Sequence, residues 1–184
     1  MPTSGGKDHA LAFCQDAEEL TETEAEYLRF AVEQGVAVAV VALDRRRALA
    51  ARLADAGTDV AAARENGSYV ELDPGEIMSQ LIVNGWPDPA GFWQTVSPVL
   101  RRAAANRHQV RMVSELGSLL WEAGLADAAI DVEALWDELG AHYPVSVLCA
   151  YQADVTREPG RGDEVAQLCG AHSHVSGDVP GGGA

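Results

Sequence analysis

Val36-Ala37-Val38-Ala39-Val40-Val41-Ala42-Leu43 is an apolar run without a single polar residue in alternation. A strand with one solvated face alternates apolar and polar side chains, whereas a strand covered on both faces is continuously apolar. The run therefore predicts a parallel strand inside a sheet that carries helices on both sides. Gly35, just before it, is the expected stop of a helix over residues 16–34, whose Leu20, Tyr27, Leu28, Ala31 and Val32 share one face. Asp44, just after it, is the expected cap of an Arg/Ala/Leu-rich helix ending at Gly57.

The same alternation extends in both directions. His9-Ala10-Leu11-Ala12-Phe13-Cys14 predicts the first strand, Ser68–Leu72 and Gln109–Val113 two further ones, and Val145–Tyr151 the last. Between them lie helical periods. A short one covers Val60–Glu65. Two more start at Asp73-Pro74 and Asp88-Pro89, where an aspartate caps and a proline takes the first turn. The second of these runs to about Asn106. Helices are also expected over Leu116–Ala123, Ala126–Gly140 and Asp163 to about Ala171, with Asn84-Gly85-Trp86-Pro87 as a breaker. Trp86, Trp93, Trp121 and Trp136 are expected in helix and core packing. The pattern predicts one three-layer α/β domain over residues 9–175, a polar leader over 1–8 and a Gly-rich tail over 176–184.

The chain has 184 residues, 47% of them hydrophobic, with 13 basic against 28 acidic residues and a net charge of −15. Such an excess of negative charge repels nucleic-acid backbones and anionic bilayers, so neither is an expected partner. Its longest apolar runs are too short to span a membrane. The opening is polar, unlike a signal peptide, and Cys14, Cys149 and Cys169 are too sparse for a disulfide framework. A cytoplasmic location is the expectation.

An α/β sheet most often binds nucleotides at its first strand–helix junction, through a glycine-rich loop. Here that junction is Cys14-Gln15-Asp16-Ala17-Glu18-Glu19, with no glycine, lysine or magnesium ligand. Its carboxylates stabilise a helix start but repel a polyphosphate. No ATP and no other cofactor is expected. A G-x-S-x-G nucleophile elbow is missing too, so no catalytic set is assigned.

Other residues invite chemistry. Val145, Val147, Cys149 and Tyr151 share one face of their strand, where Cys149 is either a buried core residue or a functional thiol. Cys169-Gly170-Ala171-His172-Ser173-His174 is the cluster most like a metal site. Cys169, His172 and His174 are thus the alternative ligands for zinc, although no regular structure aligns all three. Glu115 directly follows the strand bearing Arg111, and Glu133 lies on an apolar helix. Arg111 can pair with either, as a structural ion pair or as part of a ligand site.

Several segments together resemble the MEDS family, the methanogen/methylotroph sensory domain. They are His9–Phe13, Pro87-Asp88-Pro89-Ala90-Gly91-Phe92, Arg111-Met112-Val113-Ser114-Glu115-Leu116, Leu119-Leu120-Trp121, Glu133-Ala134-Leu135-Trp136, Leu148-Cys149-Ala150-Tyr151 and Cys169-Gly170-Ala171-His172. They occur in the family's order. Departures are Ser114, where glycine is common, and His-Ser-His in place of a closing His-Pro. The resemblance implies a RecA/KaiC-like domain that has lost its phosphate loop and senses simple hydrocarbon derivatives. Such domains occur in prokaryotic signalling proteins beside histidine kinase, anti-sigma-type kinase or transcription factor parts. By the same resemblance His9, Arg111, Glu115, Glu133, Cys149, Tyr151 and His172 are the ligand-binding residues, expected over the carboxyl ends of the strands. The expected partners are a small organic ligand and a signalling protein that carries the output. Two other classes stay open: a metal or thiol switch using Cys149, Cys169 and His172, and a RecA-like protein reduced to interaction alone.

Overall fold

Both faces of the Val36–Val40 strand are covered, and all five of its residues are buried. The computed structural model describes residues 8–105, 109–156 and 160–180. Its elements in chain order are β1 (His9–Cys14), α1 (Ala17–Gln34), β2 (Val36–Val40), α2 (Leu43–Asp55), α3 (Val60–Glu65) and β3 (Tyr69–Leu72). There follow α4 (Pro74–Leu81), β4 (Ile82–Val83), β5 (Trp86–Pro87), α5 (Pro89–Ala104), β6 (Val110–Ser114) and α6 (Leu116–Glu122). The chain continues through α7 (Ala126–His142), β7 (Val145–Gln152), α8 (Ala153–Thr156), α9 (Gly162–Gly170) and β8 (His174–Gly177).

Six strands form one sheet in the order β3-β2-β6-β7-β1-β8, and every neighbouring pair is parallel. This is the three-layer α/β architecture expected of a RecA-like domain. Alternation along each strand builds two cores. Leu20, Leu28, Val32, Leu49 and Leu53 of α1 and α2 pack with Ala37, Ala39 and Val113 on one face. On the other, Phe92, Leu116, Val132, Trp136 and Leu168 pack with Leu11, Phe13, Met112 and Cys149.

Three helix starts follow the capping logic. Asp16 accepts from the amides of Glu18 and Glu19, Asp73 from Gly75 and Glu76, and Asp88 from Ala90 and Gly91. At α2 the expectation fails. Its N-cap is Ala42, with no side-chain cap, and Asp44 stands in the first turn. The Ala42 amide instead donates to Glu115 from the end of β6, at 2.7 Å. Leu43, read as the end of the strand, is 59% exposed on the helix.

Asn84-Gly85 does more than break a helix. Both residues have positive φ, 53° and 85°, the conformation of a two-residue hairpin turn. The turn joins β4 and β5, pairing Val83 with Trp86. Trp86 is consequently 55% exposed, whereas Trp121 and Trp136 are buried as expected.

The sequence also hides β8. His174-Val175-Ser176-Gly177 is exposed throughout and lacks a strand's apolar signal, yet it pairs in parallel with β1, Ala10 opposite His174 and Phe13 opposite Gly177. At Gly177, φ is +84° and a Cβ would overlap the Phe13 carbonyl, so only glycine fits. The sheet thus extends past the boundary expected at 175. Residues 1–7, 106–108 and 181–184, which include most of the leader, the end of the α5 reading and the end of the tail, lie outside the described residues.

Candidate functional site

A histidine, His9, opens β1 on the face shared with Leu11 and Phe13. β1 pairs with β7 so that His9 lies opposite Val147 and Leu11 opposite Cys149. Cys149 and Tyr151 therefore point to the same side as His9. Over that side runs α7, whose apolar face delivers Glu133 and, one turn on, Asp137. The segment after α9 brings His172, whose Nδ1 lies 2.7 Å from the Leu168 carbonyl.

These groups meet. His9 Nε2 is 3.2 Å from Glu133 Oε2 and 3.5 Å from Cys149 Sγ, while His9 Nδ1 is 3.2 Å from Asp137 Oδ1. Tyr151 donates its hydroxyl to Glu133 Oε1 at 2.6 Å. His172 Nε2 lies 3.4 Å from Glu133 Oε2, without hydrogen-bond geometry, and the two histidine rings are 4.0 Å apart between centroids. Helix α6 crosses so close that a Cβ on Gly117 would overlap both the Tyr151 hydroxyl and the Glu133 carboxylate.

Glu133 is fully buried, and its state follows from its neighbours. Desolvation favours the protonated acid, but His172 and His9 outweigh it and hold the carboxyl well below the usual carboxylate range. His172 answers in kind: burial disfavours its imidazolium, yet Glu133 carries the balance upward. Burial, reinforced by the Glu133 charge, pushes the Cys149 thiol and the Tyr151 phenol well above their ordinary values. The cluster is thus an anionic carboxylate ringed by imidazole, thiol and phenol. It can orient a polar group or hold a cation inside an otherwise apolar core.

Two of the sequence-assigned residues are elsewhere. Arg111 pairs with neither Glu115 nor Glu133. It lies on the opposite face of the sheet, donating to the Tyr27 carbonyl at 3.2 Å, with its guanidinium over the rings of Tyr27 and Phe30. Glu115 sits at the carboxyl ends of β2 and β6, where Arg45 bonds it and also donates to Glu24 Oε2 at 2.6 Å. Burial raises the pKa of both glutamates, opposed by Arg45, and Glu24 is pushed up to about 8. The histidine cluster, built on the first residue of β1, is therefore not at the carboxyl ends of the strands.

The alternative ligand set also separates. His172 joins the cluster, but Cys169 packs half-buried against the α7-side core, and the exposed His174 lies 3.7 Å from Asp8. Asp137, Gly117, Glu24 and Arg45 escaped the sequence reading. Glu24 had a signal, since it stands four residues from both Leu20 and Leu28 on the buried face of α1. Gly117 had one too, because glycine within a helix is destabilising by about 0.5–1 kcal/mol and invites a packing explanation.

Residues 8–173 match the profile of the family described as MEDS: MEthanogen/methylotroph, DcmR Sensory domain. The chain belongs to this family. The matched span of the MEDS domain begins one residue before His9 and ends one after His172, so it takes in the whole cluster and omits β8. No curated protein and no solved structure matches the chain. Among the described residues, no helix is long and apolar enough to cross a membrane.

Proposed function

We propose that this MEDS domain is a non-catalytic sensory module of prokaryotic signal transduction, with the His9–Glu133–Cys149–Tyr151–His172 cluster as its sensing centre. The observation that carries this reading is the convergence of buried polar groups, from β1, β7, α7 and the segment after α9, within an apolar core. A buried polar network is costly unless fully satisfied, and a few oriented polar groups in apolar surroundings are what recognise a small polar-headed molecule. The expected ligands are simple hydrocarbon derivatives such as short alcohols and aldehydes. Binding must favour one conformation to carry a signal, and each 1.4 kcal/mol of preference shifts a two-state ratio about tenfold. The output passes to a histidine kinase, an anti-sigma-type kinase or a transcription factor.

Nucleotide sensing has less support. The start of α1 turns its amides of Glu18 and Glu19 to Asp16, and the Gln15 amide donates to Glu19 at 2.6 Å. Groups that would cradle a phosphate are thus engaged by carboxylates of the chain itself.

A thermal-shift screen of short alcohols, aldehydes and related compounds tests the proposal. At least one compound class is expected to raise the melting temperature, and His9→Ala to abolish the rise. Tyr151→Phe, which keeps the core volume, serves as the second variant should His9→Ala unfold. A flat screen, or an unchanged response in a folded variant, overturns the reading.

A further inference from the structure

The inward-facing atoms of the cluster share a property that hydrogen bonding within the chain leaves unresolved. His172 Nδ1 faces the Leu168 carbonyl at 2.7 Å, a group that only accepts, so this nitrogen carries a proton and the neutral ring has its lone pair on Nε2. His9 faces a carboxylate at each nitrogen, Asp137 at Nδ1 and Glu133 at Nε2, both at 3.2 Å, and with its proton on Nδ1 it offers Nε2 as a lone pair. Glu133 Oε1 already accepts from Tyr151, which leaves Oε2 to face both imidazoles. In the ion-free protein His9 Nε2 donates to Glu133 Oε2; once both neutral rings carry their protons on Nδ1, as metal binding requires, His9 Nε2, His172 Nε2, Glu133 Oε2 and Cys149 Sγ can turn their lone pairs on one central ion. His172 Nε2, on a completely buried side chain, has Glu133 Oε2 at 3.4 Å as its polar neighbour, without hydrogen-bond geometry.

The four atoms lie within 4.8 Å of one another. A tetrahedral ion bound at about 2.0–2.3 Å sets its ligand atoms roughly 3.3–3.7 Å apart. The separations of 3.2, 3.4 and 3.5 Å from His9 to Glu133, His172 to Glu133 and Cys149 to His9 come close to that spacing. The surrounding contacts also suit a metal centre. Ligating histidines characteristically donate their second nitrogen to a carbonyl or carboxylate, and ligating carboxylates are themselves hydrogen-bonded. Leu168, Asp137 and Tyr151 supply these supports.

We propose that His9, Glu133, Cys149 and His172 bind a divalent ion of the zinc class. Mixed imidazole, thiolate and carboxylate donors favour this class over magnesium or calcium, which take oxygen ligands. On binding, the Cys149 thiol gives up its proton to solvent and the sulfur becomes an anionic ligand. Its charge and that of Glu133 then balance the dication, and the core holds no net charge. The inference deepens the proposed function, resting on this cluster being the sensing centre, and the ligand's polar head reaches the ion by displacing one of the four side chains or as a fifth ligand.

Metal analysis and cobalt substitution of the full chain decide it. Zinc is expected to bind stoichiometrically and to raise the melting temperature of chelator-stripped protein. Cobalt(II) should give tetrahedral visible bands and a thiolate charge-transfer absorption that zinc abolishes. Cys149→Ser should lose the charge-transfer absorption, whereas Cys169→Ser and His174→Ala should keep it. His172→Ala, expected to weaken zinc binding at least tenfold, is the second variant should Cys149→Ser misfold. Wild-type protein that takes up neither ion overturns the proposal, as does an absorption lost in Cys169→Ser but kept in Cys149→Ser. Running the alcohol and aldehyde screen on zinc-loaded and stripped protein separates the two ideas. Metal binding with a flat screen removes the sensing reading alone, and a compound response without metal uptake removes the metal site alone.

Discussion

The protein buries charge in two places and handles it in opposite ways. On the α1–α2 side, Arg45 reaches both Glu24 and Glu115, and the Ala42 amide adds another donor to Glu115. On the α7 side, Glu133 meets two imidazoles, a thiol and a phenol, and among the described residues no arginine or lysine bonds it. The first cluster contains its own cation and ties α1 and α2 to the end of β6. The second becomes electrically balanced only when a histidine takes a proton or an ion enters. A permanent guanidinium makes a fixed joint, whereas groups that exchange protons or ligands make a responsive one.

Removing the fixed cation should produce the largest effect. Arg45→Met leaves the buried Glu115 carboxylate without its cation, beside a Glu24 that holds its proton at neutral pH, and the loss is expected to be about 3–5 kcal/mol in urea unfolding. Adding Glu115→Gln to that variant should restore part of it. A loss below 1 kcal/mol for Arg45→Met would mean that the joint is solvated and the contrast is false.

The second test strikes the responsive cluster. Gly117→Ala drives a methyl group into the Tyr151 hydroxyl and the Glu133 carboxylate, which is expected to cost about 1–3 kcal/mol. The double variant with Tyr151→Phe should cost less than the sum of the two single changes, because the overlapped hydroxyl is gone. Additive losses would show that α6 does not press on the cluster.

The third test reads a slope, at most about 1.4 kcal/mol per pH unit for one proton. Glu24 is raised from 4.5 to about 8 on folding. The folded protein therefore holds this proton where the unfolded chain has lost it. The contribution is fully present below about pH 4.5 and disappears as pH rises through about 8. Glu24→Gln should flatten that part of the wild-type stability profile, and an unaltered profile would place the proton elsewhere.

Much of this was legible from residue parity and a few exceptions to it. Val36–Val40 announced a doubly covered sheet because no polar residue interrupts it. His9 stood out as a polar residue opening an apolar strand, and Cys149 and Tyr151 shared a face by spacing alone. Parity within β6 also places Arg111 opposite Met112. It does not say which face α7 covers, since that depends on the order in which the strands assemble. Arg111 was consequently assigned to carboxylates that lie beyond its reach. Strand β8 escaped because an exposed edge strand carries no burial pattern, and its partner was determined by the position of β1.

The position of β1 also bears on how the protein is made. Among the described residues, β1 pairs with β7 and β8, the last two strands. His9 is bonded to Ser173, 164 residues away. At typical synthesis rates the ribosome needs roughly 10–30 s to cover that distance. Throughout that interval β1 has no neighbour to pair with, while β2 and β3 can already associate. The sheet closes around β1 only after β7 and β8 have been made, and the His9 cluster is among the last parts of the domain to assemble. A nascent chain that lacks residue 172 has an incomplete centre, with His9, Glu133, Cys149 and Tyr151 but only one of its two imidazoles.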